Sequence, residues 1–313
     1  MAYFRLLGAQ LAVGAAAIFA RFALTGAGPL AVSAWRLTLA AIPFVALAAL
    51  RRVGAERPGL RREVALALAG LALAAHFAGW IASLLYAPVA ISTLLVCTSP
   101  LWTGTFEALR TRRPPRVPFL FGFTLAGAGL IAIVAQHDAP APRPGHALLG
   151  EALALGGGFA LAVYFLLVRT FGSTRARSRP LPTRAIVART YAWAAVALLA
   201  ASAFAHQTPP AVADWRAWGG ILAMALVSQG LGHTAMNAAL RDFSPNLVAL
   251  TTLLEPPIAA LLAVPVFGER LTPQMLAGGV VVLAGVALAL LDNARGSANA
   301  EIVAQYDNER TFA

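Results

Sequence analysis

Polar side chains recur at helical spacing within two otherwise apolar stretches of the sequence. Each stripe has three members at intervals of three or four residues, namely His76, Trp80 and Ser83 in the first and Gln229, His233 and Asn237 in the second. Residues at this spacing share one face of a helix. Lipid cannot satisfy hydrogen-bonding groups, so such a face must meet protein or water. The stripes therefore predict either the wall of a wet cavity that receives a solute, or hydrogen bonds between helices.

A carboxylate stands inside a third apolar stretch, where proline follows it directly. An ionised carboxylate at the centre of a bilayer costs about 2.5–3.5 kcal/mol on insertion scales, so Glu255 must have a compensating role. Proline also follows Ser99, and each proline frees the backbone carbonyl four residues before it. Glu255 is expected either to bind a substrate amine or a coupling proton, or to clamp its helix to a donor such as His76 or His233.

Several other polar or aromatic side chains inside apolar stretches complete the set of candidate substrate-binding residues. These are Gln10, Ser99, Trp102 and Tyr164, which make a set of ten together with His76, Trp80, Ser83, His233, Asn237 and Glu255. Arg36 and Arg189 also lie inside apolar stretches, and we expect them to snorkel to the surface or to pair with carboxylates.

The chemistry of an enzyme is not evident in the sequence. Cys97 is the only cysteine, so no disulfide can form within the chain. No spacing of His, Cys, Asp and Glu suits a metal, and neither a glycine-rich phosphate loop nor a Ser-His-Asp arrangement stands out. The sequence therefore predicts no cofactor, no bound metal and no catalytic residue.

The composition places the chain in a membrane. Of its 313 residues, 59% are hydrophobic and only 12% are charged, against about 25% charged in soluble domains. The net charge is +11, carried by arginine without any lysine. These arginines lie in short clusters between apolar runs rather than along one wet face, which argues against nucleic-acid binding. The expected partners are the lipid bilayer and a small-molecule substrate, and the chain is expected to be monomeric.

Ten apolar segments are long enough to cross a bilayer, and glycine or proline marks most of their boundaries. We number them segments 1 to 10, at residues 6–24, 30–50, 64–86, 89–109, 117–136, 147–169, 185–206, 217–240, 246–266 and 274–291. The first resembles a signal peptide in length, but the equally apolar segments that follow favour a retained helix.

The distribution of arginine predicts the orientation. Eighteen arginines fall on one side of the ten segments and three on the other. Short cytoplasmic loops retain positive charge. Both termini and the loops at 51–63, 110–116 and 170–184 are therefore predicted to be cytoplasmic.

The sequence also repeats internally. At an offset of 156 residues, small residues and prolines coincide without a gap, as in the pairs Pro100 and Pro256, Gly122 and Gly278, and Gly129 and Gly285. Five segments thus match five, and an odd number per repeat inverts the second half relative to the first. We predict an all-α integral membrane fold of ten transmembrane helices, arranged as two inverted five-helix repeats around a central cavity. The repeats are placed at 1–146 and 147–293, with a cytoplasmic tail at 294–313.

Segments 5 and 10 contain almost no polar residues. Their small residues follow helical spacing, at Gly122, Ala126 and Gly129 in one and at Gly278 and Gly285 in the other. Such spacing favours close contact between helices in a membrane.

The second half of the sequence resembles the second repeat of EamA-type transporters of the drug/metabolite transporter superfamily. The matching stretches are Leu253 to Leu262, Phe267 to Thr272 and Gly278 to Leu291. Trp35-Arg36 and Ser99-Pro100 fit the first repeat, and the overall likeness is greatest to bacterial YddG-like amino-acid exporters. The resemblance implies a basket of ten helices, with segments 1, 3, 4, 6, 8 and 9 around the cavity. Some small multidrug relatives carry a proton-binding carboxylate in the first helix, where this chain has Gln10, so simple proton antiport is in question.

The function expected from these features is export of small metabolites, amino acids in particular, across the bacterial inner membrane by alternating access. One alternative is an efflux carrier for amphipathic drugs, which Trp80 and Trp102 would suit equally. A remote alternative is an intramembrane enzyme acting on lipids, which would need a reactive dyad at the cavity.

Overall fold

The computed structural model describes residues 2–50, 59–87, 89–112, 114–135, 146–172, 181–268 and 272–311. Regular structure in these ranges is helical. Much of the arginine-rich loops predicted at 51–63 and 170–184 lies outside the described residues, as does most of the proline-rich stretch between segments 5 and 6.

Seven helices of the described residues are long and apolar enough to cross a membrane, so the chain is a multi-pass membrane protein. They are Ala2–Ala23, Pro29–Leu50, Leu60–Ser83, Ala147–Thr170, Thr183–Phe204, Pro245–Phe267 and Pro273–Asp292. These helices correspond to segments 1, 2, 3, 6, 7, 9 and 10.

The other three segments are helical but are not among the seven helices that are long and apolar enough to cross a membrane. Segment 4 consists of Val89–Val96 and Ser99–Thr111, separated by a turn, and segment 5 is Val117–Val134. Segment 8 begins as the α-helix Trp215–Ala223, continues as the π-helix Met224–His233 and ends as the α-helix Thr234–Ala239. The count of ten membrane-crossing helices therefore stays a prediction.

Prolines coincide with the interruptions in segments 4 and 9. Segment 4 breaks just before Pro100, and segment 9 tightens into a 3-10 turn, Thr252–Leu254, between the α-helices Pro245–Thr251 and Glu255–Phe267. Proline lacks an amide hydrogen and its ring crowds the preceding turn, so regular α-helical bonding fails there. At the offset of 156 residues the two interruptions coincide. Pro256 frees the carbonyl of Thr252, and this oxygen accepts a hydrogen bond from the Cys97 thiol at 3.5 Å.

The π-helix of segment 8 has no counterpart in segment 3. In a π-helix each amide bonds to the carbonyl five residues earlier, which leaves room for one extra residue. The matching helix of the first repeat, Leu60–Ser83, is α-helical throughout. Within the π-helix, the Gln229 carbonyl accepts hydrogen bonds from the Tyr191 hydroxyl at 3.3 Å and the Thr234 hydroxyl at 3.2 Å.

Segments 5 and 10 lie against each other through glycine, as their sequences predict. A Cβ built on Gly122 would lie 2.6 Å from the Gly285 carbonyl oxygen, and one on Gly129 would lie 2.5 Å from the Gly278 carbonyl oxygen. Both distances are too short for a real carbon atom, so the backbones themselves are in contact. Segments 2 and 7 also pack along each other, as do segments 3 and 6.

The last helix extends beyond the predicted end of segment 10 at residue 291. It begins at Pro273 and continues to Thr311, although its membrane-compatible part ends at Asp292. Asp292 forms an ion pair with Arg116, at 3.3 Å. The end of the membrane-compatible part of this helix therefore contacts the start of segment 5.

Candidate functional site

A small cavity lies between the two repeats. Its volume is about 20 Å³, which is room for about one water molecule. Its lining residues are Val13, Ala16, Arg36, His76, Phe77, Trp80, Val96, Cys97, Leu161, His233, Thr252 and Glu255. Segments 1, 3, 4, 6, 8 and 9 each contribute to this lining, and segment 2 contributes through Arg36. Both repeats therefore form its wall.

Four of the ten predicted substrate-binding residues line this cavity, namely His76, Trp80, His233 and Glu255. The His76 Nδ1 atom lies 3.0 Å from the Gly157 carbonyl oxygen, so Nδ1 carries the hydrogen and Nε2 is the acceptor. The Phe77 ring contacts both histidine rings, with centroid distances of 4.6 Å to His76 and 5.2 Å to His233. This part of the wall is aromatic.

Glu255 is half-buried at the start of the second α-helix of segment 9. Among the described residues its carboxylate makes no hydrogen bond and no ion pair within 4.0 Å. The predicted clamp to His76 or His233 is therefore not formed in this conformation. The carboxylate faces the same cavity as the Arg36 guanidinium without contacting it.

Arg36 does not snorkel, contrary to the prediction. Its side chain is fully buried, with an exposed fraction of 0%. Its Nη2 donates to Gln229 Oε1 at 3.0 Å, and its guanidinium carbon lies 3.9 Å from the centre of the Phe77 ring. The reason is geometric, because segment 2 packs on segment 7 and turns Arg36 toward segment 8 rather than toward lipid. Arg189 does pair with a carboxylate, since its Nε lies 3.1 Å from Glu63 Oε2.

The remaining six predicted residues lie outside the lining of the cavity. Three hydrogen bonds tie helices together: Gln10 donates to Thr251 at 2.8 Å, Tyr164 donates to Asn237 at 2.9 Å, and Ser83 bonds to Ser92. For Ser83 and Asn237 this is the structural alternative that their stripes predict.

Ser99 and Trp102 both belong to the second helix of segment 4. Ser99 is fully buried, and the Trp102 ring packs edge-on against Phe159 of segment 6 with a centroid distance of 5.5 Å.

Several buried polar side-chain atoms of the described residues have no hydrogen-bond partner. Among the described residues, nine buried side-chain atoms have no hydrogen-bond partner: Gln10 Oε1, Arg36 Nε, Trp80 Nε1, Ser99 Oγ, Trp102 Nε1, Ser228 Oγ, Gln229 Nε2, His233 Nδ1 and Asn237 Nδ2. Six of them belong to the predicted substrate-binding residues. A buried polar group without a partner costs about 1–3 kcal/mol. Three of the atoms, Arg36 Nε, Trp80 Nε1 and His233 Nδ1, belong to residues that line the cavity. The cavity is therefore a place that can receive water or a polar ligand.

Two larger clefts lie at opposite ends of segment 6. One, of about 860 Å³, is lined near the start of segment 6 by Leu149 and by the ends of segments 1 and 3. The other, of about 730 Å³, is lined near its end by Thr170, the end of segment 4 and the start of segment 9.

Segments 3 and 6 separate the first cleft from the cavity where they cross at Gly79 and Gly157. A Cβ on Gly79 would lie 2.7 Å from the Leu153 carbonyl oxygen. The cavity is thus closed by direct backbone contact.

Sequence reasoning did not select Arg36, Phe77 or Cys97 as lining residues. A signal for Arg36 was present, because an ionisable residue within a membrane segment is by default a candidate for function. The phenylalanine carries no such signal, since apolar residues face lipid, protein and cavity alike.

Comparison with known proteins shows the family by one route and the fold by another. The model of the EamA-like transporter family matches residues 1–135 and 148–291. A crystal structure of a protein with 20% sequence identity superimposes with a TM-score of 0.74, covering 94% of this chain and 98% of its own. At this identity the likeness concerns the fold alone. No curated protein matches the chain by sequence.

The family match covers most of each half of the chain, and its two parts correspond to the two repeats around the cavity. The chain belongs to the EamA-like transporter family, within the drug/metabolite transporter superfamily.

Proposed function

We propose that the protein is a secondary transporter that exports small metabolites, amino acids in particular, across the bacterial inner membrane. The observation that carries this proposal is the cavity between the two repeats, which holds a buried guanidinium and a carboxylate. Transporters built from inverted repeats bind substrate at this position, near interrupted helices. Segments 4 and 9 supply such interruptions beside Cys97 and Thr252.

The side chains of the cavity suit a solute that carries a positive charge and an apolar portion. Glu255 binds the substrate ammonium, since its carboxylate is without a partner among the described residues. Trp80 and Phe77 contact the apolar side chain. The unpaired Nε1 of Trp80 supplies a hydrogen-bond donor that a polar substrate atom can use.

Transport proceeds by alternating access between ten helices in two inverted halves, with both termini in the cytoplasm. A cavity of about 20 Å³ is too small for an amino acid, so the helices must separate to load it. Opening segments 3 and 6 at Gly79 and Gly157 would connect the cavity to the cleft of about 860 Å³. Opening the other end of the molecule would release the solute on the opposite side.

Flux measurements in proteoliposomes test this proposal. The purified protein is reconstituted and loaded with each radiolabelled L-amino acid in turn, and in parallel with lipophilic cations such as tetraphenylphosphonium. We expect counterflow of one or more amino acids above that of protein-free vesicles. Counterflow of the lipophilic cations alone would instead support drug efflux, to which the aromatic wall is also suited. Absence of amino-acid flux from correctly folded protein would contradict the proposal.

A further inference from the structure

The burial of Arg36 has no compensation of the usual kind. Its side chain is fully buried, and a buried charge is normally paired with an opposite one. The partners it does have are uncharged: Gln229 Oε1 at 3.0 Å, Met224 Sδ at 3.9 Å and the face of the Phe77 ring. Its Nε is buried and has no hydrogen-bond partner among the described residues. A guanidinium has five N–H donors, and here several of them remain available to an anion.

The inverted repeat provides an internal comparison. Arg36 stands seven positions after the start of the helix Pro29–Leu50, and Arg189 stands six positions after the start of the corresponding helix Thr183–Phe204. Arg189 has a carboxylate partner, Glu63, at 3.1 Å.

At the offset of 156 residues, the position in segment 8 that matches Glu63 is Gly219. The neighbouring Trp218 packs against Trp35 with a centroid distance of 5.4 Å, so neither residue offers a charge. The second repeat thus has no carboxylate for Arg36 at the position equivalent to Glu63.

Glu255 does not fill that role in this conformation. Both side chains line the cavity, but among the described residues no ion pair within 4.0 Å joins them. Arg36 belongs to the first repeat and Glu255 to the second. A ligand with both an anionic and a cationic group can therefore bridge the two repeats.

We infer that Arg36 is the binding group for the carboxylate of the transported solute, which makes the substrate class α-amino acids rather than amines or lipophilic cations. This inference rests on the proposed transport function. Arginine suits the task because its planar fork donates two parallel hydrogen bonds to a carboxylate. The substrate carboxylate lies on Arg36, its ammonium lies toward Glu255, and its side chain lies against the aromatic wall.

Replacing the carboxylate of the substrate tests this assignment without altering the protein. Each of the twenty common L-amino acids is compared with its own amide, which keeps the ammonium and the side chain but is neutral at the carboxyl end. For every amino acid that the wild type carries, we expect the amide to compete for counterflow with an affinity on the order of 10- to 100-fold lower, the range for hydrogen bonds to charged groups. Equal competition by acid and amide would overturn the inference.

Variants of Arg36 give the second measurement. In Arg36→Gln the preference for acid over amide should fall to near unity, and in Arg36→Lys it should be intermediate, because a point charge remains without the fork. Arg189→Gln is the matched control, since that arginine lies outside the cavity and is already paired; its preference should equal that of the wild type. If Arg36→Gln folds and keeps the full preference, Arg36 only holds Gln229 in place and the inference is wrong.

The failure of the inference is distinguishable from that of the proposed function. Wild-type protein that carries no amino acid at all refutes amino-acid export itself. Wild-type protein that carries amino acids but does not distinguish them from their amides refutes only the role of Arg36. If Arg36→Gln does not fold, the comparison of acid and amide on the wild type still decides.

Discussion

At the scale of single residues, the cavity keeps two opposite charges near each other without neutralising them. Arg36 and Glu255 line the same small space, yet no ion pair joins them among the described residues. A closed pair would occupy the donors and acceptors that a ligand needs. A separated pair leaves both available, at a cost in stability that the surrounding helices must offset.

Glu255→Gln is expected to lower amino-acid flux at least about tenfold while the protein folds normally. The amide keeps the shape and the hydrogen bonding of the carboxylate but cannot ionise, so it loses the charge-assisted bond to an ammonium. Flux should be followed in proteoliposomes from about pH 5 to about pH 8. Glu63→Gln is the control, because Glu63 binds Arg189 away from the cavity. Unchanged flux of the folded Glu255→Gln variant across this range would leave Glu255 only a structural role.

Trp80→Ala is expected to impair transport without lowering the amount of folded protein in the membrane. Trp80 is 7% exposed and lines the cavity, so its loss removes part of the aromatic wall. Trp102→Ala should have a smaller effect on flux, since that ring packs on Phe159 outside the lining. Trp215→Ala, at a residue 74% exposed, serves as the control. Normal flux in Trp80→Ala would show that the ring does not contact substrate.

Sequence could identify some of these residues and not others, for a physical reason. His76, Trp80 and His233 are recognisable because polar side chains at helical spacing cannot face lipid. Arg36 is ambiguous, since an arginine seven positions into a helix can either snorkel outward or point inward. The choice depends on the rotation of segment 2 against segment 7, which is a property of packing and is not encoded in the local pattern.

At the scale of helices, the glycines of segments 5 and 10 make a specific prediction about stability. Gly129→Ala should lower the melting temperature of the detergent-solubilised protein, because its Cβ would lie 2.5 Å from the Gly278 carbonyl oxygen. Overpacking of this kind costs about 1–3 kcal/mol.

The matched control is Gly127→Ala, two residues earlier in the same helix. A Cβ at Gly127 meets nothing within 4 Å, so its melting temperature should be unchanged or slightly raised. Equal effects of the two substitutions would mean that segments 5 and 10 are not in backbone contact.

Helix positions were predictable from apolar runs and prolines, but the internal irregularities were predictable only in part. The breaks in segments 4 and 9 follow from Pro100 and Pro256, because proline cannot complete the α-helical pattern. The π-helix of segment 8 contains no proline and has no such signal. It becomes visible only in the structure, where segment 3 is α-helical and segment 8 is not.

At the scale of the whole molecule, the arginine distribution predicts which side each loop faces. A reporter that is active only in the cytoplasm, fused after residue 313 or inserted in the loop at 110–116, should be active. The same reporter placed near Gly28, in the loop between segments 1 and 2, should be inactive because this loop is predicted to lie on the periplasmic side. The physical reason is that arginine-rich loops are retained on the cytoplasmic side. Activity of a periplasmic reporter fused after residue 313 would reverse the orientation of the whole chain.

The π-helix makes the two halves energetically unequal. If inverted halves were identical, exchanging their conformations would convert the inward-open state into the outward-open state at no change in free energy. Here Met224–His233 is a π-helix, while the matching Leu60–Ser83 is α-helical throughout. The exchange is then no longer neutral, and a difference of about 1.4 kcal/mol would favour one open state tenfold. We accordingly expect the empty carrier to rest with one side open, and we expect substitutions in segment 8 to shift the balance between the two sides.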